Sequence, residues 1–131
     1  MKILVIGANG FLGSKVVETI PQENTIFANI RSDTPNFTKK ENIEIFKQDL
    51  SNLDLSIFPK NIDVIFYLAQ SRNYKKFPEY ADEILNINLI VPMKIAQWAI
   101  KNKVKKFVYI STGGVYNFSS IHLQSFQPKL Y

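Results

Sequence analysis

The stretch ILVIGANGFLG at residues 3–13 is an apolar run that leads into three glycines spaced three apart. Gly7 allows a sharp turn at the end of a strand, and Gly10 leaves no side chain where a pyrophosphate would approach the backbone. Gly13 allows the following helix to pack closely on the strand. The start of that helix offers the N–H groups of residues 10–12 and the positive end of a helix dipole to phosphates. This order of strand, glycines and helix predicts a dinucleotide-binding site rather than an ordinary strand–turn–helix unit.

The size and composition of the chain are those of a single globular domain. Its 131 residues are enough to bury a core, and the absence of cysteine excludes disulfides, thiolate catalysis and zinc–thiolate sites. The apolar run at the start is too short for a signal peptide, and no stretch free of charge reaches the length of a membrane span. We therefore expect a cytoplasmic protein with no metal site and no membrane partner.

The net charge of +5 is mildly basic, and its densest cluster is formed by Lys101, Lys103, Lys105 and Lys106. These lysines lie around the predicted end of a helix, where cations complement the helix dipole. Aromatic residues are not interleaved with them in the way that a nucleic-acid surface requires. The cluster indicates a solvated helix end, and no nucleic-acid partner is expected.

Strand and helix patterns alternate along the chain. Strands are predicted at residues 3–6, 25–30, 43–46, 64–68 and 107–110, and helices at residues 11–20, 53–58 and 78–102. Such alternation implies right-handed crossovers and an α/β fold with a Rossmann-type doubly wound parallel sheet in the strand order 3-2-1-4-5. The ligand crevice is then expected between the first and fourth strands.

Pro92 lies inside the last predicted helix. Because proline has no N–H, the α-helical hydrogen bond to the carbonyl of Asn88 cannot form, and a kink is predicted there. This helix also carries apolar residues around more of its circumference than one stripe. Together with an exposed edge at the fifth strand, this apolar surface predicts a homo-oligomer.

Four features besides the glycine loop (residues 7–13) carry a resemblance to a known family. Residues 48–50 read QDL after the third strand, residues 64–70 read VIFYLAQ, Asn88 lies in the long helix, and residues 104–116 read VKKFVYISTGGVY. In order and spacing these features resemble the extended short-chain dehydrogenase/reductases, also called the NAD-dependent epimerase/dehydratase family. The last segment is similar to the family motif V-K-R-F-V-Y-x-S-[ST]-x-x-V-Y.

The resemblance implies a nicotinamide dinucleotide cofactor with its contacts at the carboxyl ends of the strands. Asp49 would accept a hydrogen bond from the adenine amino group, although the same carboxylate could simply cap a turn. Asn88 would be the family's helix asparagine, the alternative being an ordinary surface or kink residue. Tyr67 and Gln70 depart from the family's usual residues. The predicted cofactor-binding residues are Gly7, Asn9, Gly10, Phe11, Leu12, Gly13, Arg31, Ser32, Asp49, Leu50, Leu68, Ala69, Gln70, Asn88 and Ser111.

The end of the second strand bears on the choice between NADP and NAD. An enzyme that uses NAD usually holds the adenine ribose with an acidic residue there, whereas this chain has Ile30 followed by Arg31 and Ser32. An arginine beside a hydroxyl suits a 2′-phosphate, so NADP is favoured over NAD. Two alternatives stay open: Asp33 could reach the ribose, and Arg31 could be an ordinary solvated residue.

Thr112 is the candidate catalytic residue that the resemblance implies. In the family, a serine or threonine four residues before the tyrosine of the V-Y pair orients the substrate hydroxyl or carbonyl. It works beside a Tyr-x-x-x-Lys pair whose tyrosine exchanges a proton while hydride passes to or from the nicotinamide. Tyr131 stands nineteen residues after Thr112 and could be that tyrosine, with its lysine beyond the last residue.

No Tyr-x-x-x-Lys sequence follows Thr112 in the chain. We therefore expect an incomplete Rossmann domain, the N-terminal part of a nucleotide-sugar epimerase, dehydratase or reductase, without the final strands and the substrate lobe. Such a part would be inactive alone. The alternative is a non-catalytic module of the same superfamily that senses NADP or binds another protein.

Overall fold

The computed structural model describes residues 1–111, which are built around a parallel sheet of five strands. Four neighbouring pairs in this sheet are all parallel, and the strand order is β3-β2-β1-β4-β5. The order and the Rossmann-type α/β class predicted from the sequence are confirmed. The strands are β1 (Lys2–Ile6), β2 (Thr25–Ile30), β3 (Ile43–Lys47), β4 (Val64–Tyr67) and β5 (Lys106–Tyr109).

β1 lies at the centre of the sheet, and its side chains alternate between two buried layers. Ile3 and Val5 belong to the core on the side of helix α1 (Phe11–Thr19), whereas Leu4 and Ile6 belong to the core on the opposite side. Successive side chains of a strand point to opposite faces, so a strand covered on both sides is apolar throughout. This explains the unbroken apolar run before the glycine loop.

The short helix predicted at residues 53–58 does not form as a single α-helix. The chain forms two 3-10 turns instead, Leu50–Asn52 and Leu55–Ile57. Asp49 and Asp54 each precede one turn and accept a hydrogen bond from the N–H two residues further on, at 2.9 and 2.8 Å. Short aspartate side chains compete with the helical backbone in this way, which favours local turns over a longer helix.

The single long helix predicted at residues 78–102 is divided into three parts. Helix α2 is Ala81–Leu85, a π turn is formed by Asn86–Ile90, and helix α3 is Val91–Lys101. The predicted kink takes the form of this π turn, and Pro92 lies in the first turn of α3. Proline is tolerated there because the first N–H groups of a helix need no partner within it.

The helices within residues 1–111 are too short or too polar to cross a membrane. The ends of several elements differ by one residue from the prediction, for example α1, which stops at Thr19. There the N–H of Ile20 donates to the carbonyl of Val16 at 3.1 Å while its backbone becomes extended before Pro21. Ends of this kind depend on single hydrogen bonds, which a sequence pattern does not resolve.

Candidate functional site

An open cavity of about 1300 Å³ lies at the carboxyl ends of the strands, between the glycine loop and the segments that follow β2 and β4. This is where the fold predicts a ligand, because doubly wound sheets bind at the point where the strand order reverses. In this sheet that point lies between β1 and β4. Every predicted cofactor-binding residue lines the cavity except Gly13.

Close contacts within the protein require glycine at two positions of the glycine loop. Gly7 has a φ of 80°, and a Cβ there would lie 2.8 Å from the main-chain nitrogen of Ala69. A Cβ at Gly13 would lie 2.1 Å from the carbonyl oxygen of Gly7. Gly10 differs: among the described residues, a Cβ there would approach the Gly7 oxygen alone, at 3.2 Å. The space beside Gly10 therefore belongs to the cavity.

The N-terminus of α1 brings main-chain N–H groups to this cavity. The N–H of Gly10 donates to the carbonyl of Gly7 at 3.0 Å, and the first helical bond runs from Ser14 to Gly10 at 2.9 Å. The N–H groups of residues 11–13 precede that bond, and no side chain caps this end of the helix. The N–H of residue 10 is therefore already bonded within the loop, and the binding of phosphate by residues 10–12 stays a prediction.

The segment after β2 carries a basic residue at the cavity and an acidic residue outside it. Arg31 and Ser32 line the cavity, whereas Asp33 does not. The Asp33 carboxylate forms an ion pair with Lys47 at the end of β3. The acid that the sequence left open as a ribose ligand is therefore engaged elsewhere.

Asp49 both lines the cavity and caps a turn. Its Oδ1 accepts the hydrogen bond from the N–H of Ser51 at 2.9 Å that begins the first 3-10 turn. The structure thus contains the cap that the sequence left as the alternative interpretation of Asp49. The cap leaves the residue exposed at the cavity, so it does not exclude a contact with a ligand.

Two buried polar residues in the cavity wall were not predicted. Asn29 in β2 donates to the carbonyl of Gln48 at 3.3 Å, and the Gln48 side chain donates to the carbonyl of Asp54 at 2.9 Å. The Gln48 Oε1 is buried without a hydrogen-bond partner among residues 1–111, which is costly for an acceptor. The feature of the sequence that could have indicated this pair is Asn29 itself, an asparagine inside an otherwise apolar strand.

Two tyrosine hydroxyls hold the π turn against the sheet. Tyr67 in β4 donates to the carbonyl of Ile87 at 2.5 Å, and Tyr109 in β5 donates to the carbonyl of Asn88 at 2.8 Å. The two tyrosine rings stack with their centroids 5.8 Å apart. Burial raises the pKa of Tyr67, so its hydroxyl stays a protonated donor.

Asn88 holds the segment after β4 at the cavity. Its Oδ1 accepts a hydrogen bond from the N–H of Ser71 at 2.9 Å. The Ser71 hydroxyl and the Asn73 side chain in turn donate to the Glu83 carboxylate at 2.6 and 2.7 Å. These hydrogen bonds lower the pKa of Glu83. Glu83, which also lines the cavity, was not singled out by the sequence.

The sequence model of the NAD dependent epimerase/dehydratase family matches residues 3–125. The chain belongs to the NAD-dependent epimerase/dehydratase family. The match extends over the glycine loop, all five described strands and the helices between them. The resemblance carried by the motifs is thereby confirmed.

Known proteins are similar to this family member over the same region. The Bacillus subtilis (strain 168) protein YtcB, described as an uncharacterized UDP-glucose epimerase, is 26% identical over 134 residues, with 88% of this chain and 41% of the relative covered. UDP-glucuronic acid 4-epimerase from Bacillus cereus, solved in complex with NAD, is 25% identical, with a TM-score of 0.74 and coverage of 92% and 42%. UDP-N-acetylglucosamine 4-epimerase from Methanobrevibacter ruminantium M1, solved with UDP-N-acetylmuramic acid, shares the fold at 24% identity, with a TM-score of 0.79 and coverage of 95% and 42%.

This member of the epimerase/dehydratase family spans less than half the length of those three proteins. The predicted catalytic residues Thr112 and Tyr131 lie outside the described residues. Ser111, the last described residue, lines the cavity. The N–H groups of residues 11 and 12, which have no partner in the described part of the chain, and the open space beside Gly10 fit the phosphates of a dinucleotide.

Proposed function

We propose that the chain is the NAD(P)-binding part of a nucleotide-sugar epimerase, dehydratase or reductase. The observation that carries this proposal is the N-terminus of α1, where the N–H groups of residues 11 and 12 have no partner among residues 1–111 and lie beside the open space at Gly10. Membership of the NAD-dependent epimerase/dehydratase family supports the same conclusion. The substrates of the similar solved proteins support a UDP-sugar as the substrate class of the whole protein.

Each part of the cavity would hold one part of the cofactor. The N–H groups of residues 11 and 12 would bind the pyrophosphate, and Asp49 with Leu50 would face the adenine. The segment of residues 68–70 and Ser111 would lie along the nicotinamide end. When bound, the dinucleotide supplies hydride transfer at its nicotinamide ring.

Catalysis by the whole protein would involve Thr112, which would orient a hydroxyl or carbonyl of the sugar. Tyr131 would serve as the acid/base if a lysine stood four positions after it. The 131 residues contain no Tyr-x-x-x-Lys sequence. The chain by itself is therefore proposed to bind the cofactor without turnover.

NADP is proposed as the preferred dinucleotide. Arg31 and Ser32 line the cavity at the end of β2, where the guanidinium would complement a 2′-phosphate, while the Ser32 hydroxyl donates to the carbonyl of Thr34 at 3.2 Å. Asp33, the acidic alternative, is paired with Lys47. An unpaired carboxylate at that position would favour NAD and repel NADP, so its pairing supports the choice.

Nicotinamide fluorescence tests the binding of the cofactor. Titration of the 131-residue protein with NADPH should give a saturable signal that Gly10→Val abolishes and Gly10→Ala weakens, because each added carbon occupies the phosphate space. The thermal unfolding midpoint of each variant shows whether it is folded. Equal binding by the wild type and a folded Gly10→Val protein would refute the proposal.

A charge-matched pair of variants tests the choice of dinucleotide. Arg31→Ala should weaken NADP binding about tenfold or more and leave NAD binding nearly unchanged, since it removes a charged hydrogen bond to the 2′-phosphate alone. Lys39→Ala removes the same charge from the same connection, outside the cavity, and should change neither affinity. Equal losses of NADP and NAD in Arg31→Ala would contradict the preference.

Self-association is proposed from an apolar surface on α2, the π turn and α3, here called the apolar helix surface. A group of exposed apolar side chains on one surface favours contact with another molecule over contact with water. A second copy of the chain presents the same surface. Its large side chains are between 41% and 78% exposed and comprise Leu85, Leu89, Ile90, Met93 and Ile100.

A further inference from the structure

The side-chain amide of Asn9, in the glycine loop, forms hydrogen bonds with the segment after β2 through both its nitrogen and its oxygen. Its Nδ2 donates to the Ser32 hydroxyl at 2.6 Å and to the carbonyl of Thr34 at 2.7 Å. Its Oδ1 accepts from the N–H of Asn36 at 2.7 Å, and the Asn36 side chain donates to the Asn9 carbonyl at 3.0 Å. Both amide protons of Asn9 are therefore bonded within the protein.

These four hydrogen bonds join parts of the chain that are 23 to 27 residues apart. Residues 31–36 form neither helix nor strand, so no regular backbone ladder holds them in place. Arg31 and Ser32 stand at the start of this segment and line the cavity. A loop that is ordered before its ligand arrives loses less conformational entropy on binding, so such bonds raise affinity without touching the ligand.

We propose that Asn9 is a positioning residue that holds residues 31–36, and the Arg31 guanidinium with them, in place for the 2′-phosphate of NADP. This inference rests on the proposed function. Because both donors of Asn9 are taken, its side chain has none left for the pyrophosphate. Its effect falls on the adenosine end of the cofactor and leaves the phosphate contacts of residues 11 and 12 intact.

Two further contacts retain the segment when Asn9 is removed. The ring of Phe37 is buried, with 6% exposed, in the core that contains Val17 of α1. Asp33 pairs with Lys47 at the end of β3. Asn9→Ala is therefore expected to fold, with a loss of local order around residues 31–36.

The test compares three variants of the 131-residue protein. Asn9→Ala removes the side chain, Asn36→Ala removes one of the four hydrogen bonds from outside the cavity, and Thr38→Ala is an exposed control in the same connection. For Asn9→Ala we expect about a tenfold loss of NADP affinity and less than about a threefold loss of NAD affinity. The N–H of residue 36 should also exchange with solvent faster in the absence of cofactor. Asn36→Ala should shift the ratio of the two affinities less, in the same direction, and Thr38→Ala should not shift it.

A double variant decides whether Asn9 acts through Arg31. If it does, Asn9→Ala combined with Arg31→Ala lowers the ratio of NADP to NAD affinity no further than Arg31→Ala alone. A wild type that binds neither dinucleotide would reject the proposed function and this inference together. Binding by the wild type with an unchanged ratio in Asn9→Ala, or with equal losses of both dinucleotides, would reject this inference alone.

Discussion

The hydroxyl of Tyr109 donates a hydrogen bond of 2.8 Å to the main-chain carbonyl of Asn88. In an α-helix that carbonyl would accept from residue 92, and in a π turn residue 92 would donate to Ile87. Residue 92 is proline and has no N–H to donate. Tyr67 supplies the bond to Ile87 instead, at 2.5 Å. Two tyrosines of neighbouring strands thus replace the donor that Pro92 lacks in either helical register.

Tyr67→Phe should lower the free energy of unfolding by about 1–3 kcal/mol, because it leaves the Ile87 carbonyl without its donor in a buried position. Tyr109→Phe should cost about 1 kcal/mol or less, because the Tyr109 side chain is 46% exposed and water can replace its hydroxyl. Urea unfolding of both variants measures the difference. Tyr74→Phe, at a residue 49% exposed, is the control. A Tyr67→Phe protein as stable as the control would contradict the role of its hydroxyl.

Gly13→Ala and Gly10→Ala should differ in their effect on stability. The added Cβ at Gly13 would lie 2.1 Å from the Gly7 oxygen, so the start of α1 must move, at a cost of about 3 kcal/mol. At Gly10, where φ is −72° and ψ is 167°, an alanine is accommodated and should cost about 1 kcal/mol, as at other helix N-caps. Thermal or urea unfolding compares the two variants directly. Equal destabilisation would show that the contact at Gly13 relaxes freely.

Asp63 should make the stability of the protein fall in acid. Its carboxylate accepts hydrogen bonds from the Lys105 ammonium at 2.7 Å and from the N–H of Lys2 at 2.8 Å, which lower its pKa from the ordinary value of 3.8. A pKa lowered by folding means that the stabilisation is complete above the unfolded value and is lost as the pH falls through the folded one.

Asp63→Asn therefore should be less stable than the wild type near neutral pH, and the difference should shrink as the pH falls from about 6 to about 2. Glu79→Gln, at an exposed carboxylate, should leave the pH profile of the wild type unchanged. Urea unfolding across this range provides the measurement. A constant difference between Asp63→Asn and the wild type would exclude the carboxylate as the cause.

Leu89→Glu should weaken the proposed self-association, because it places a charge within the apolar helix surface. Ile57→Glu adds the same charge at a residue that is 48% exposed and lies in a 3-10 turn that is not among the segments forming that surface. Light scattering at micromolar concentration should give a mass above 15.1 kDa for the wild type and for Ile57→Glu, and a lower mass for Leu89→Glu. If the mass measured for the wild type equals that of one chain, self-association is rejected.

The order of the sheet was predictable because it follows from local patterns. Apolar runs of strand length alternate with helical segments, and the glycines after β1 mark the end of the sheet where a ligand binds. The helices were predicted less well. A helix was expected at residues 53–58, but Asp49 and Asp54 each begin a short 3-10 turn instead.

The sequence by itself determined the family, the strand order and those cavity residues that belong to the glycine loop or to the ends of the strands, because each depends on short motifs whose geometry is local. Only the tertiary structure decided which polar groups pair between distant segments of the chain. Asn9 is hydrogen-bonded to Asn36, and Tyr109 is hydrogen-bonded to Asn88, although these residues are 27 and 21 positions apart. Such pairs depend on the register of the strands and on the path of a loop, so no periodicity within either segment contains them.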